Sequence, residues 1–310
     1  MTMMEVKMED SKAGTITLAN VEERLEQLPL LPGVMFELMK SDPDSETFFD
    51  DMVRLAKNDP PLACLIIGYA NSAACIGKCP VEGIEKALVR VGSKNILQLL
   101  MAISVARVFV PAKDEQRNIW RHSLEVAHIA LFLARTSYFS TVKPETAYMA
   151  GLLHDLGRFV MLQVAPDALK DTDVRGWGAA AELISTEQST LGFTHTVVGQ
   201  IACKKMHLPG LLSNIVRYHH HPEAVRHPKV PKKLSDLLII IQLSDGLSFF
   251  LAANRDWPEL GEDALKHRIE TEVVSEAWGG VHLPLLELVH ALPMIYEDCE
   301  NACSMLGIRK

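Results

Sequence analysis

The sequence predicts an all-α protein, and three observations support that prediction. Apolar residues recur with the helical period from about residue 18 onward, and no stretch alternates as a half-buried strand would. Prolines, glycines and capping residues divide this pattern into segments of helical length. Hydrophobic residues make up 48% of the 310 residues and charged residues 23%, which is typical of globular proteins with a large core.

The first part of the chain is expected to be a flexible tail (1–17) followed by an N-terminal helical subdomain (18–112). Prolines end its first two short helices. A later helix begins at Asp59, a residue suited to an N-cap, with two prolines in its first turn, where proline is tolerated. Gly92 separates the last two helices of this region.

The second part, residues 113–255, is expected to be a helical core that carries any chemistry, because all twelve histidines of the chain lie at or beyond position 122. Its predicted helices cover about 116–138, 144–164, 178–190, 195–207, 209–221 and 231–253. The last segment, 256–310, is also mostly helical and is expected to be interrupted at Pro293. The sequence leaves open whether this segment covers the core or mediates dimerisation.

Charge and hydropathy exclude some classes of partner. The net charge of −8 argues against a nucleic-acid-binding surface, which needs a basic face to neutralise phosphates. No basic start precedes an apolar run, so no secretory signal is expected. The most apolar window, 234–254, is interrupted by Asp236, Gln242 and Asp245, which favours a core helix over a membrane span. We therefore expect a cytoplasmic protein without membrane contact.

The six cysteines favour reduced thiols packed as small hydrophobic side chains. Two pairs have i, i+4 spacing, at Cys75/Cys79 and Cys299/Cys303. A four-cysteine zinc site is the alternative, although its usual spacing is found in a turn-rich context.

The segment MAGLLHDLGRFVM (149–161) places a histidine and an aspartate inside an apolar helical pattern. A buried carboxylate is costly unless a charged or hydrogen-bonding partner meets it. Other histidines and an aspartate occur in similar apolar surroundings on the following helices, so a shared site is predicted. The candidate ligands are His122, His154, Asp155, His195, His219, His220 and Asp245.

Imidazole and carboxylate groups are ligands for Zn, Fe, Mn and related divalent ions. A carboxylate that bridges two ions lets a site hold a metal pair. A single buried histidine is more often a hydrogen-bonded core residue, and a metal-free polar network is therefore the alternative. The remaining histidines lack the apolar context, and we interpret most of them as surface or packing residues: His128, His207, His221, His227, His267, His282 and His290.

The order H…HD…H…HH…D resembles the HD superfamily of metal-dependent phosphohydrolases. Within it, MAGLLHDLGRFVM resembles the HDOD branch, as do the upstream segments LPLLPGVMFELMKSDPDS, DPPLACLIIGYANSAACIG and IEKALVRVGSKNILQLLMAISVARVF. WRHSLEVAHIALFLAR, GFTHTVVGQIACKKMHLP and IVRYHHHPE continue the match, which covers about residues 20–255. The resemblance implies an HDOD fold, in which an N-terminal helical subdomain packs on an HD-like helical core.

The resemblance also implies a function in bacterial signal transduction. HDOD proteins are mostly regarded as regulatory or scaffold modules that act through protein contacts, often without demonstrated catalysis. Here a signalling partner would be supplied in trans, and a homodimer is a further expectation. The alternative is a metal-dependent phosphohydrolase acting on a phosphomonoester or a cyclic nucleotide.

Carried over from the family pattern, two divalent ions would be held by this chain, with Fe, Mn and Zn as the candidates. His122, His154, Asp155 and Asp245 would hold the first ion, and Asp155, His195, His219 and His220 the second. Asp155 and Arg158 would be the catalytic residues of an active enzyme. A vestigial site that no longer binds metal is the remaining alternative.

Two departures separate the chain from the related cyclic-di-GMP phosphodiesterases of the HD-GYP branch. No Gly-Tyr-Pro element follows the paired histidines, and HDLGR stands where that branch has HDIGK. Arg158 thus replaces a lysine, although arginine also binds phosphate and does so with two nitrogens. Cyclic-di-GMP is therefore not expected to be a good substrate.

Overall fold

A computed structural model describes residues 16–28, 37, 38, 40, 42, 44–71, 75, 80–110, 114–169 and 180–308 of the chain. These residues form α-helices joined by turns and short 3-10 segments, and no strand occurs among them. The predicted all-α fold is therefore confirmed. Most of the predicted tail and of the second predicted helix lies outside the described residues.

The N-terminal part contributes five described helices. They are α1 (Leu18–Leu25), α2 (Phe48–Lys57), α3 (Pro60–Ala70), α4 (Ile84–Val91) and α5 (Ser93–Ala106). Asp59 is the N-cap of α3, as predicted, and its side chain accepts a hydrogen bond from the Leu62 backbone N–H at 3.1 Å. Gly92 separates α4 from α5 with a φ of +85°, a conformation that favours glycine.

The central part contains seven described helices. They are α6 (Asp114–Thr136), α7 (Pro144–Leu153), α8 (Leu156–Val164), α9 (Ala180–Leu191), α10 (His195–Lys205), α11 (Gly210–Tyr218) and α12 (Lys232–Ala253). Helix α6 packs against α7 and α12, and α10 packs against α8 and α11. The predicted helix over 231–253 is confirmed as a core helix, because α12 is buried along nearly its whole length.

The expected single helix over 144–164 is wrong. The chain breaks at His154 and Asp155, where Asp155 has φ −95° and ψ 25°, and a new helix begins at Leu156. The apolar pattern continues across the break because α7 and α8 are buried on nearly all sides. Periodicity alone could not reveal this interruption.

Two glycines allow α8 and α10 to approach closely. A Cβ atom at Gly157 would lie 1.8 Å from the carbonyl oxygen of His195, a distance that no side chain permits. At Gly199 it would lie 3.0 Å from the backbone nitrogen of Gly157. The close contact places Asp155, two residues before Gly157, beside His195.

The C-terminal part contains α13 (Glu262–Glu272) and α14 (Leu285–Met305). The expected interruption at Pro293 is wrong, since this proline lies inside α14 and the break instead falls between the two helices. Proline removes one helical hydrogen bond, but α14 buries apolar residues on both sides of it, including Leu292 and Ile295, and packs against α6. This segment therefore covers the core.

Helix α12 is long and apolar enough to cross a bilayer, judged by length and composition. However, 78% of its apolar window is buried inside the protein. Its hydropathy is thus explained by its position among α6, α7 and α11.

Candidate metal centre

The structure brings all seven candidate ligands together in the core. His122 lies in α6 and Asp245 in α12, while His154 and Asp155 occupy the break between α7 and α8. His195 is the first residue of α10, and His219 and His220 directly follow α11. Helix ends thus supply most of the set, because a side chain at an end can point along the helix axis toward a common centre.

Four of these residues form one group, called here the four-residue group: Asp155, His195, His219 and His220. Each offers a ligand atom, and these atoms lie within 4.8 Å of one another. Asp155 Oδ1 is 3.3 Å from His195 Nε2 and 3.7 Å from His219 Nε2. The two histidine Nε2 atoms are 3.5 Å apart.

The other three residues form the three-residue group: His122, His154 and Asp245. Asp245 Oδ1 is 3.1 Å from His122 Nε2 and 3.7 Å from His154 Nε2. Asp155 connects the two groups, because its second oxygen, Oδ2, lies 3.8 Å from His154 Nε2. One carboxylate oxygen therefore faces each group.

Backbone carbonyls orient two of the histidines. Nδ1 of His154 is 2.7 Å from the carbonyl oxygen of Gly151, and Nδ1 of His219 is 3.1 Å from that of Val216. A carbonyl can only accept, so Nδ1 carries the proton in each ring. In the neutral ring, Nε2 then keeps its lone pair and points toward the centre, as a metal ligand requires.

Neighbouring side chains orient two further histidines, His195 and His122. Nδ1 of His195 lies 2.8 Å from Oε2 of Glu187. Nδ1 of His122 lies 3.0 Å from Ser248 Oγ, which in turn donates to Glu125 Oε2 at 2.7 Å. These partners again leave Nε2 of each histidine facing the centre.

Several buried polar atoms of the centre make no hydrogen bond, including His122 Nε2 and Asp245 Oδ1, which face each other at 3.1 Å. The full set is Nε2 of His122 and His154, Oδ1 of Asp155 and Asp245, and both ring nitrogens of His220. Buried polar atoms are nearly always paired, and leaving one unpaired costs about 1–3 kcal/mol. The atoms left unpaired here are imidazole nitrogens and carboxylate oxygens, which divalent metals bind as ligands, so the residues fit a metal site.

The electrostatics suit the same purpose. Burial disfavours the charge on Asp155 and Asp245, but the neighbouring histidines hold the pKa of each carboxyl well below its usual range. Burial lowers the pKa of His219 and His220, which keeps both neutral. His154 differs from these two histidines: burial opposes its charge, yet the two aspartates raise its pKa to about 9. His219 and His220 are thus neutral and both carboxylates are ionised, which are the forms that bind metal.

Arg158 adds a buried positive charge beside Asp155. Its side chain is 6% exposed, and its Nε lies 3.8 Å from Asp155 Oδ2. Its charge also helps to lower the pKa of Glu187, against the effect of burial. The guanidinium is therefore held within the anionic centre by the carboxylates.

The centre is almost closed to solvent. The side chains of His154, His195 and His219 are fully buried, and those of Asp245 and His220 are 4% exposed. His122 has the highest exposure of the candidate ligands, at 17%. His122 is therefore the candidate ligand whose side chain is most accessible from solvent.

Sequence reasoning did not identify Glu187, Ser248, Glu125 or the role of Gly157. No local signal marks Glu187, which lies on another helix eight residues before His195 and is fully buried. Gly157 belongs to the HDLGR motif, but its need for close approach depends on α10. These contacts join residues that are distant in the sequence or on different helices.

Other candidates behave as packing or surface residues where the structure describes them. His128 is buried edge-on against the ring of Tyr148, and His290 pairs with Glu262 on the surface. Among the described residues, no group of potential metal ligands includes a cysteine. Cys79 lies outside those residues.

Comparison with known families gives one domain match. The model of the HDOD domain family matches residues 28–222, more than half of the chain. A curated protein of Treponema pallidum (strain Nichols), described only as uncharacterized, is 24% identical over 257 residues. The match covers 82% of this chain and 48% of that protein, so the chain spans about half the length of its relative.

Solved structures share the fold at low sequence identity. A protein from Shewanella amazonensis SB2B, described provisionally as a phosphohydrolase, is 20% identical with a TM-score of 0.66, and the match covers 93% of this chain and 98% of that one. An HDOD domain protein of unknown function from Geobacter sulfurreducens is 20% identical with a TM-score of 0.64, covering 93% and 97%. A provisionally described signal transduction protein from Marinobacter aquaeolei VT8 is 19% identical with a TM-score of 0.66, covering 95% and 62%.

Proposed function

The chain belongs to the HDOD family, and we propose that it is a signal-transduction module that binds divalent metal in its core and has little or no turnover. The observation that carries this proposal is the convergence of seven imidazole and carboxylate side chains on a buried centre, where five of them have ring nitrogens or carboxylate oxygens without a hydrogen-bond partner. Relatives of the same fold are described as signalling and phosphohydrolase-like proteins, which agrees with the proposal.

The proposed metal ligands follow the two groups. His122, His154 and Asp245 hold one ion, and His195, His219 and His220 hold the other. Asp155 is shared, which its two oxygens support because one faces each group. Fe, Mn and Zn all accept this mixture of imidazole and carboxylate. When bound, such ions supply Lewis acidity and lower the pKa of a coordinated water.

Burial supports the low turnover. A phosphate ester has to contact the metal and a positive group, yet Arg158 is buried and lies next to Asp155. The same burial makes the centre a structural element, since metal would join α6, α7, α8, α10, α11 and α12. We propose that the metal stabilises one arrangement of these helices and that the protein acts through its surface.

The second candidate is a metal-dependent phosphohydrolase acting on a phosphomonoester or a cyclic nucleotide. It is favoured by the complete ligand set and by the arginine close to the shared carboxylate. In that case Asp155 and Arg158 are the catalytic residues: Asp155 orients the centre, and Arg158 binds phosphate oxygens. Substrate would enter past His122, the most exposed of the candidate ligands.

The proposal also includes the binding partner of the protein and its location in the cell. A net charge of −8 favours a protein partner over a nucleic acid. We propose a signalling partner supplied in trans and a cytoplasmic location, with a homodimer as a further arrangement.

The test combines metal analysis with assays of hydrolysis. Protein purified without added metal, and protein reconstituted with Zn, Mn or Fe(II), is analysed for metal and assayed with p-nitrophenyl phosphate, bis(p-nitrophenyl) phosphate and a cyclic dinucleotide. We expect at least one ion per chain and no turnover at ordinary enzymatic rates of about 1 s⁻¹ or faster. Turnover at such rates would establish the phosphohydrolase instead. Less than one ion per chain at micromolar metal would show that the site is vestigial.

A further inference from the structure

A buried carboxylate supports one ligand group directly. Glu187 on α9 is fully buried, and both of its oxygens lie near Nδ1 of His195, at 2.8 and 3.0 Å. The backbone N–H of His195 also donates to Glu187 Oε2, at 2.8 Å. Glu187 thus holds both the ring and the backbone of a ligand at the N-terminus of α10.

The corresponding support for the three-residue group is indirect. Ser248 Oγ lies between His122 Nδ1 and Glu125, at 3.0 Å from the ring nitrogen and 2.7 Å from Glu125 Oε2. His122 therefore meets a neutral hydroxyl, with the carboxylate one step further away. Its side chain is also 17% exposed, whereas that of His195 is fully buried.

These differences make the two groups unequal as metal sites. A carboxylate that accepts the Nδ1–H of a ligating histidine raises the basicity of the ring and fixes its orientation. The four-residue group offers this direct support. The three-residue group has a relayed partner and contains His122, the candidate ligand whose side chain is most exposed.

We infer that Glu187 is a positioning residue that makes the four-residue group the tighter metal position, while the three-residue group is the weaker and exchangeable one. This inference rests on the proposed metal-binding function. It assigns to Glu187 a role in metal affinity beyond its contact with the first backbone N–H of α10.

The variant Glu187→Gln tests this role. A glutamine of the same shape can still accept from the backbone N–H through its amide oxygen, so the helix contact is retained. It lacks the negative charge, and its amide N–H₂ can donate to the ring nitrogen that should donate itself. Glu125→Gln is the matched control, because it makes the same change behind the other group.

Metal-free wild type and both variants are titrated with Mn²⁺ by calorimetry, with bound metal counted after equilibrium dialysis. We expect two binding phases in the wild type. Glu187→Gln should weaken the tight phase by about 10- to 100-fold, the usual effect of removing such an outer partner, and leave the weak phase unchanged. Glu125→Gln should weaken only the weak phase.

Circular dichroism shows whether Glu187→Gln folds. If it does not fold, a second variant, His122→Ala, tests which of the two groups binds metal more tightly. His122→Ala should then remove the weak phase alone and retain one ion at wild-type affinity. A tight phase that is unchanged in folded Glu187→Gln, or that is lost in His122→Ala, overturns the inference. A wild type that binds no Mn²⁺, Zn²⁺ or Fe(II) overturns the proposed function itself.

Discussion

Among the single residues of the centre, Asp155 is the one proposed to be shared by both metal groups, since its oxygens lie within 4 Å of His154 on one side and of His195 and His219 on the other. Asp155→Ala should therefore lose both metals. His195→Ala should retain the ion of the three-residue group, because that group contains no part of His195. Metal content per chain, measured for the two variants and wild type, checks this.

A metal-free polar network would respond differently to the same substitution. Asp155→Ala would then leave buried histidines without a partner and destabilise the fold by about 1–3 kcal/mol. Metal content would be the same as in wild type. That outcome would contradict the metal-bridging role of Asp155.

The raised pKa of His154 should make the stability of the metal-free protein depend on pH. Its pKa is raised to about 9, from an ordinary value near 6.5, by Asp155 and Asp245 acting against burial. A raised pKa stabilises the folded state fully below about pH 6.5, and that contribution is lost as the pH rises through 9. The free energy of unfolding should fall over this range by at most about 1.4 kcal/mol per pH unit for this one proton.

Urea unfolding at pH 6.5, 7.5 and 9 in the presence of a chelator measures this slope. His154→Gln should reduce it, because glutamine does not titrate. A variant with the wild-type slope would show that another group is responsible. Metal binding should follow the opposite trend and strengthen over the same range, since the proposed ligation by His154 requires the loss of its proton.

At the scale of secondary-structure elements, the close approach of α8 and α10 determines whether Asp155 can meet His195. Gly157→Ala would place a carbon 1.8 Å from the His195 carbonyl oxygen, so the helices have to separate. Overpacking of this kind costs about 1–3 kcal/mol. We expect a lower free energy of unfolding together with weaker metal binding by the four-residue group.

Gly68→Ala is the matched control for this prediction. Gly68 lies inside α3, and a Cβ there would have no atom within 4 Å. Alanine in a helix interior is favoured over glycine by about 0.5–1 kcal/mol, so this variant should be as stable as wild type or more stable. Equal effects of the two substitutions would rule out the proposed contact as the cause.

At the scale of the whole molecule, hydrogen bonds and ion pairs join the predicted core segment, 113–255, to both of its neighbours, 18–112 and 256–310. Arg24 of α1 donates to the Val164 carbonyl at the end of α8, and Lys205 of α10 donates to the Leu25 carbonyl. From the C-terminal segment, Glu300 of α14 pairs with Arg121 of α6. The division at residues 112 and 255 thus stays a prediction about organisation, and it does not mark a gap in the packing.

The C-terminal helix should consequently contribute to global stability. Leu292 is fully buried on α14, so Leu292→Ala should lower the free energy of unfolding by about 2–5 kcal/mol. Met294→Ala is the control, since Met294 is 56% exposed on the same helix and should change stability by about 0.5 kcal/mol or less. Denaturant unfolding compares them, and an unaffected Leu292→Ala would mean that α14 is not part of the core.

The sequence by itself determined the helical class, most helix positions, the core role of α12 and the family. These follow from local properties: a 3.6-residue apolar period, capping residues such as Asp59, and motifs whose residues are adjacent in the chain. The seven candidate ligands were also found in this way, because a polar residue in an apolar pattern is visible without knowledge of its neighbours.

Only the tertiary structure decided how these residues combine. The break at His154 and Asp155 is hidden from periodicity because both flanking helices are buried on nearly all sides. The division into two groups, the carboxylate behind His195 and the uninterrupted α14 depend on contacts between helices that are distant in sequence. Such contacts are set by the packing of the whole chain, so they can be recognised only once the helices are in place.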